Sequence, residues 1–111
     1  MERIWLKQYP PGVPADIDVT QYASLVELLE ESFAKFADRE AFICMDKSIS
    51  YRDLDEMSRA LGAYLQGKGL QKGARVALMM PNVMQYPVST AAVLRAGYAV
   101  VNVNPDRKSV V

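Results

Sequence analysis

Gly67, Gly69 and Gly73 are the first residues whose spacing invites a chemical reading, because glycine-rich loops can cradle phosphates on backbone N–H groups. Their intervals match neither G-x-x-x-x-G-K-[ST] nor G-x-G-x-x-G. A phosphate loop also joins a strand to the following helix, whereas these glycines fall between a helical pattern and the next strand. They read as cap and turn glycines. Cys44 lies in an apolar run and reads as a small buried hydrophobe rather than a reactive thiol. Asp53, Asp55 and Glu56 crowd what should be the first turn of a helix, where dipole stabilisation and solvation account for them better than paired-carboxylate catalysis does. Met79 and Met80 continue an apolar strand and read as core. Tyr86 and Arg95 are the polar side chains nearest a strand–helix–strand segment. Packing and a surface charge describe them better than ligand contact.

What is missing narrows the chemistry further. The 111 residues include no histidine, which excludes a Ser-His or Cys-His nucleophile, a histidine base and a histidine metal ligand within this chain. The single cysteine rules out an internal disulfide and a thiolate zinc site, and fits a reducing cytoplasm. Thirteen basic residues balance thirteen acidic ones, so the chain carries no electrostatic footprint for nucleic acid or a lipid surface. Half of the residues are apolar, as in a packed domain. No run reaches the roughly 18 apolar residues that span a bilayer. The opening Met1 to Lys7 lacks the apolar core of a signal peptide. The expected location is the cytoplasm.

The elements that would position these residues follow from periodicity. Pro10, Pro11, Gly12 and Pro14 predict an extended arm over residues 1–23, with Trp5, Leu6, Tyr9, Val13 and Ile17 as apolar anchors. Ser24 to Glu27 reads as a capping box, and Leu25, Leu28, Leu29, Phe33 and Phe36 make one helical stripe. Ala41 to Met45 and Ser48 to Tyr51 predict a hairpin turning at Asp46-Lys47. Ser50 and Asp53 cap a second helix carrying Leu54, Met57, Leu61, Tyr64 and Leu65 on one face, ended by Gly67 or Gly69. Gly62 inside it should cost about 1 kcal/mol relative to alanine. Arg75 to Met79 is a strand. Asn82 then caps a third helix over about 83–96, apolar on most sides, with Pro87 near its start and Gly97 closing it. Ala99 to Val103 is the next strand. Strand, helix and strand with short joints form a βαβ unit with an expected right-handed crossover, and its two-strand ladder needs further strands and a covering layer. The fold class is α/β, with α+β character at the hairpin.

Several blocks occur in an order that is recognisable. Trp5-Leu6, Tyr9-Pro10 and Val13-Pro14 open the chain. Ser50-Tyr51-Arg52-Asp53-Leu54 resembles an [ST]-[YF]-x-x-L helix entry, followed by Ser58-Arg59-Ala60, Gly69-Leu70 and Lys72-Gly73. Arg75 to Asn82, Gln85-Tyr86-Pro87-Val88, Leu94 to Gly97 and Val101 to Pro105 complete the set. From about residue 3 to 105 the chain resembles the N-terminus of bacterial long-chain fatty-acid–CoA ligases of the adenylate-forming superfamily. Ala74 departs from the acidic residue usual after Gly73.

The resemblance implies an incomplete N-terminal part of the superfamily's large domain over 24–105. It also implies a two-step reaction in the parent enzyme, using ATP, Mg²⁺ and CoA as cofactors and a fatty acid as substrate. The carboxylate attacks the α-phosphate to give acyl-AMP and pyrophosphate, and the CoA thiol then displaces AMP. The family's phosphate loop, acidic residues and mobile-domain lysine lie downstream, and no position here matches them. The expected catalytic, cofactor-binding and metal residues are therefore none, and the fragment is expected to be inactive and to bind no cofactor. Its expected partners are the missing remainder of its own domain and, for the parent, small molecules and the inner membrane face, with no nucleic acid. A sister acyl- or aryl-acid adenylating enzyme and a small non-catalytic interaction module remain the alternatives. Asp106 to Val111 has no family counterpart. It equals the translation of GAT-CGG-AAG-AGC-GTC-GTG, which resembles a sequencing-library adapter, so 106–111 is expected to be an artefactual tail.

Overall fold

The computed structural model describes residues 2–105, and the tail expected at 106–111 lies outside the described residues. Ahead of the first α-helix the chain does not stay extended. Residues Ile4–Gln8 wind into a 3₁₀ turn. Arg3 then closes a loop over the prolines, pairing with Asp16 at 2.7 Å and donating to the Ala15 carbonyl at 3.1 Å. The arm folds on itself, so Trp5, Tyr9, Val13 and Ile17, expected as anchors, stay exposed.

Helix α1, Leu25–Lys35, is capped by Ser24, whose hydroxyl accepts from the Glu27 N–H, while the Glu27 carboxylate accepts from the Ala23 N–H. Phe33 is the fully buried member of its stripe. Strands β1, Glu40–Cys44, and β2, Lys47–Ser50, form the expected antiparallel hairpin. Its turn falls one residue earlier than the sequence predicts. Met45 and Asp46 carry the positive φ values, 51° and 64°, and Cys44 pairs with Lys47. Two positive-φ residues give the twist that a two-residue hairpin needs, although methionine is a poor signal for it.

Ser50 ends β2 and also caps α2, Tyr51–Gln66, in a complete capping box with Asp53. The face α2 buries keeps Leu54, Leu61 and Leu65 of the expected stripe but leaves out two of its large residues. Leu54, Ser58 and Gly62, spaced four apart, are buried, whereas Met57 and Tyr64 are exposed. This line packs on α3, Gln85–Arg95. A Cβ on Gly62 would stand 3.3 Å from the Ala92 carbonyl oxygen, so the missing side chain is what lets the two backbones approach. The expected propensity cost of Gly62 is offset by that contact.

Strand β3, Arg75–Leu78, pairs in parallel with β4, Ala99–Asn102, around α3, as the βαβ pattern predicts. Met79 lies past the strand end and is 64% exposed, against expectation, while Met80 packs on the core. Asn82 does not cap α3. Met84 precedes the helix without a side-chain bond, and Pro87 falls in the first turn, where its missing N–H removes no helical bond. Gly97, with φ +92°, closes α3 as expected. Its N–H bonds the Leu94 carbonyl and the Tyr98 N–H bonds the Val93 carbonyl, a full Schellman motif with Tyr98 packed in the same cluster as Val93. Two cores result, one around Phe33, Leu54 and Ala91 and the other around Leu78, Val93 and Tyr98, and α3 contributes to both.

Replacing Gly62 by leucine is expected to lower stability by about 2 kcal/mol through overpacking, and Ala63→Leu on the exposed side by about 0.5 kcal/mol at most. Urea unfolding followed by circular dichroism measures both. Equal midpoints for the two variants would refute the close helix contact.

Candidate functional site

Ligands of open parallel sheets bind beyond the carboxyl ends of the strands, so that end of β3 and β4 is the place to look first. A crevice of about 550 Å³ lies there, between Met80, Asn82 and Tyr86 on one side and Asn102, Asn104 and Pro105 on the other. The Val103 N–H bonds the Leu78 carbonyl at 2.9 Å and carries the ladder one residue past β4. The Tyr86 hydroxyl donates to the Asn102 side-chain carbonyl across the crevice. Among the described residues the lining holds amides, a phenol and apolar groups but no charged side chain. These described residues can hold an uncharged polar group.

A second, larger groove of about 730 Å³ opens between α1, the hairpin and the start of α3. Leu25, Leu29, Phe42, Ile43, Val83 and Leu94 make it predominantly apolar. Cys44 reaches its wall half-buried rather than in the core, and its thiol donates to the Asn82 carbonyl at 3.5 Å. The Thr90 hydroxyl on the lining is buried without a hydrogen-bond partner among the described residues.

The charged residues of the molecule's middle meet elsewhere. Arg95, expected as a surface charge, has a side chain only 11% exposed. Its guanidinium donates to the Asp55 carboxylate at 2.7 Å, the Asp55 carbonyl at 3.1 Å and the Ser58 hydroxyl at 3.0 Å. It lies 5.4 Å over the Phe33 ring, with Glu30 at 3.6 Å. Ser58 in turn donates to the Asp55 carbonyl at 3.1 Å, so the buried hydroxyl is satisfied in both directions. Asp55 is therefore an ion-pair partner of Arg95 and of Arg59 rather than a solvated dipole charge. Asp53 serves the capping box, and Glu56 remains exposed. With Nη1 bonded to three oxygens of α2 and Nε facing Glu30 of α1, Arg95 is a clamp between helices rather than a ligand contact.

The glycines behave as cap and turn residues. Gly69 and Gly73 have φ of +77° and +84°, with open space where a Cβ would stand, and the Gly73 N–H bonds the Gly97 carbonyl at 2.8 Å. They do not form a phosphate cradle. Among the described residues no three His, Cys, Asp or Glu side chains gather as metal ligands. Among the described residues no helix is long and apolar enough to cross a membrane. Ser58, Gly62 and Thr90 were not marked by any chemical pattern. The recurrence of small residues at Ser58 and Gly62, one helical turn apart in line with Leu54, was the available signal for close helix packing.

The arrangement of α1, hairpin, α2 and βαβ unit is that of the N-terminal subdomain of adenylate-forming enzymes. It matches the N-terminal subdomain of NpsA from Klebsiella oxytoca with a TM-score of 0.73 and 30% identity, over 77% of this chain and 22% of that one. The model of the AMP-binding enzyme family matches residues 29–109, and the chain belongs to that family. It is 58% identical over 106 residues to a long-chain-fatty-acid–CoA ligase of Yersinia pestis and 54% identical to one of Escherichia coli O157:H7. Each match covers 95% of this chain, which spans 19% of the length of those relatives.

Removing Asp55 (Asp55→Ala) leaves Arg95 without its closest anion and is expected to cost about 2 kcal/mol, less than the ~3–5 of a fully buried pair because Asp55 keeps some solvent contact. Arg59→Ala breaks an exposed pair with the same carboxylate and should change stability by no more than about 0.5 kcal/mol. Denaturant midpoints of the two variants check this ranking.

Proposed function

We propose that the chain is the N-terminal part of a long-chain fatty-acid–CoA ligase. The observation that carries this reading is the 58% identity to the Yersinia pestis ligase, sustained over 106 residues. In the whole protein a fatty acid is activated by ATP with Mg²⁺ as an acyl-adenylate and passed to CoA as a thioester. Catalytic, nucleotide and metal-binding residues are supplied from outside this chain, so the catalytic residues within residues 1–105 are none. The role of this segment is architectural: the α1–hairpin–α2 body and the βαβ unit form one flank of the large domain, and the remainder of that domain is its partner. The working location is the cytoplasm, with peripheral contact at the inner membrane face where long-chain acids partition.

A second reading, a ligase for another carboxylic acid, draws support from the likeness to NpsA, whose solved structure holds 3-hydroxyanthranilyl-AMSN at 31% identity to this chain. ATP–pyrophosphate exchange separates the cases. The 111-residue chain is expected to show no exchange above background with palmitate. The full-length gene product is expected to show exchange with palmitate and at least tenfold less with an aromatic acid. Exchange catalysed by the short chain alone, or a full-length preference for aromatic acids, overturns the proposal.

A further inference from the structure

The apolar groove between α1, the hairpin and α3 has the wrong surface for water. Leu25 on its rim is 54% exposed and Ile43 is 69% exposed, with Phe42 beside it, and together they make a contiguous apolar patch rather than scattered side chains. Three occupants can be weighed: a small molecule, a second copy of this chain, or further polypeptide of the same protein. Two observations favour the last. The ligases that match this chain are about five times its length, and even the isolated NpsA subdomain is matched over only 22%. The chain also leaves β4 next to the groove. Asn82 and Tyr86 line both the groove and the crevice that holds Pro105, so polypeptide continuing from residue 105 starts at the groove's mouth. Tethering at that distance gives an effective concentration in the millimolar range, which a free ligand or second copy does not match.

We propose that this groove is an intramolecular docking surface for an apolar element of the downstream polypeptide, which covers Leu25, Phe42 and Ile43. The inference rests on the reading of this chain as part of a longer ligase, and it assigns the contact that joins the two parts. Cys44 on the groove wall is a built-in reporter. The experiment compares maleimide labelling of Cys44 in the 111-residue chain with labelling in residues 1–105 joined to the remainder of the Yersinia pestis relative, whose own cysteines are replaced. Labelling is expected to slow at least tenfold in the joined protein. Ile43→Asp should lower the thermal midpoint of the joined protein by several degrees and leave the short chain's midpoint unchanged. Equal labelling rates in a cooperatively unfolding joined protein, or an unchanged midpoint with Ile43→Asp, overturn the proposal. So does protection of Cys44 in the short chain that rises with its concentration, which assigns the groove to a second copy. Protection without fatty-acid-dependent pyrophosphate exchange would sink the ligase reading and leave the docking surface standing. Exchange without protection would do the opposite.

Discussion

The Arg95 guanidinium is the point on which the helices depend. It leaves the last turn of α3, where a cation is favoured by the helix dipole, and ends among Asp55 and Ser58 of α2 with Phe33 and Glu30 of α1 around it. A charge this far from water needs compensating partners, and here Nη1 meets three oxygens while the guanidinium lies over an aromatic face. Because the three acceptors of Nη1 all lie on one turn of α2, the clamp fixes the rotation of α3 against α2 more narrowly than apolar packing alone would.

That rotation decides what the rest of the molecule can do. With Arg95 held, Ala92 faces Gly62 and the two helices close to backbone contact. Ala91 then enters the core beside Phe33 and Leu54, while Val93 enters the core beside Leu78 and Tyr98. One helix therefore serves two small sheets that share no hydrogen bond with each other. The same placement puts the first turn of α3 between the groove and the crevice, so both concavities inherit their shape from one ion pair, which lies behind the Phe33 wall of the groove.

Features encoded by neighbours in sequence were legible, and features that need a distant partner were not. The Ser50–Asp53 box, the Gly97 cap and the alternation of strand and helix are local, and the chain adopts them as its residues predict. The Met45–Asp46 turn was hidden because its positive φ is imposed by strand pairing and not by the methionine. Large side chains at Met57 and Tyr64 drew attention from Ser58 and Gly62, since hydrophobicity does not register that a close helix approach selects for smallness. Arg95 was read as surface because a charge looks solvated until its counter-ion, 40 residues away, is in place. Of the site, the absence of a phosphate-loop spacing was legible from the glycines alone, whereas the groove, built from four separate segments, had no linear signature.

The junction at Ser50 has a consequence for how such chains can diverge. One residue is at once the last of β2, paired with Glu40, and the cap of α2, and the N–H groups of Tyr51 and Arg52 reach back to the carbonyls of Arg39 and Ala37. Strand and helix share this hinge residue with no slack between them, so a single inserted residue there would rotate α2 by about 100° relative to the hairpin. The stretch from Gly67 to Gly73 is the opposite case, with Gly69 and Gly73 in open space and its residues exposed. Length changes over evolutionary time should therefore accumulate between α2 and β3, while the hairpin and α2 are inherited as one indivisible unit.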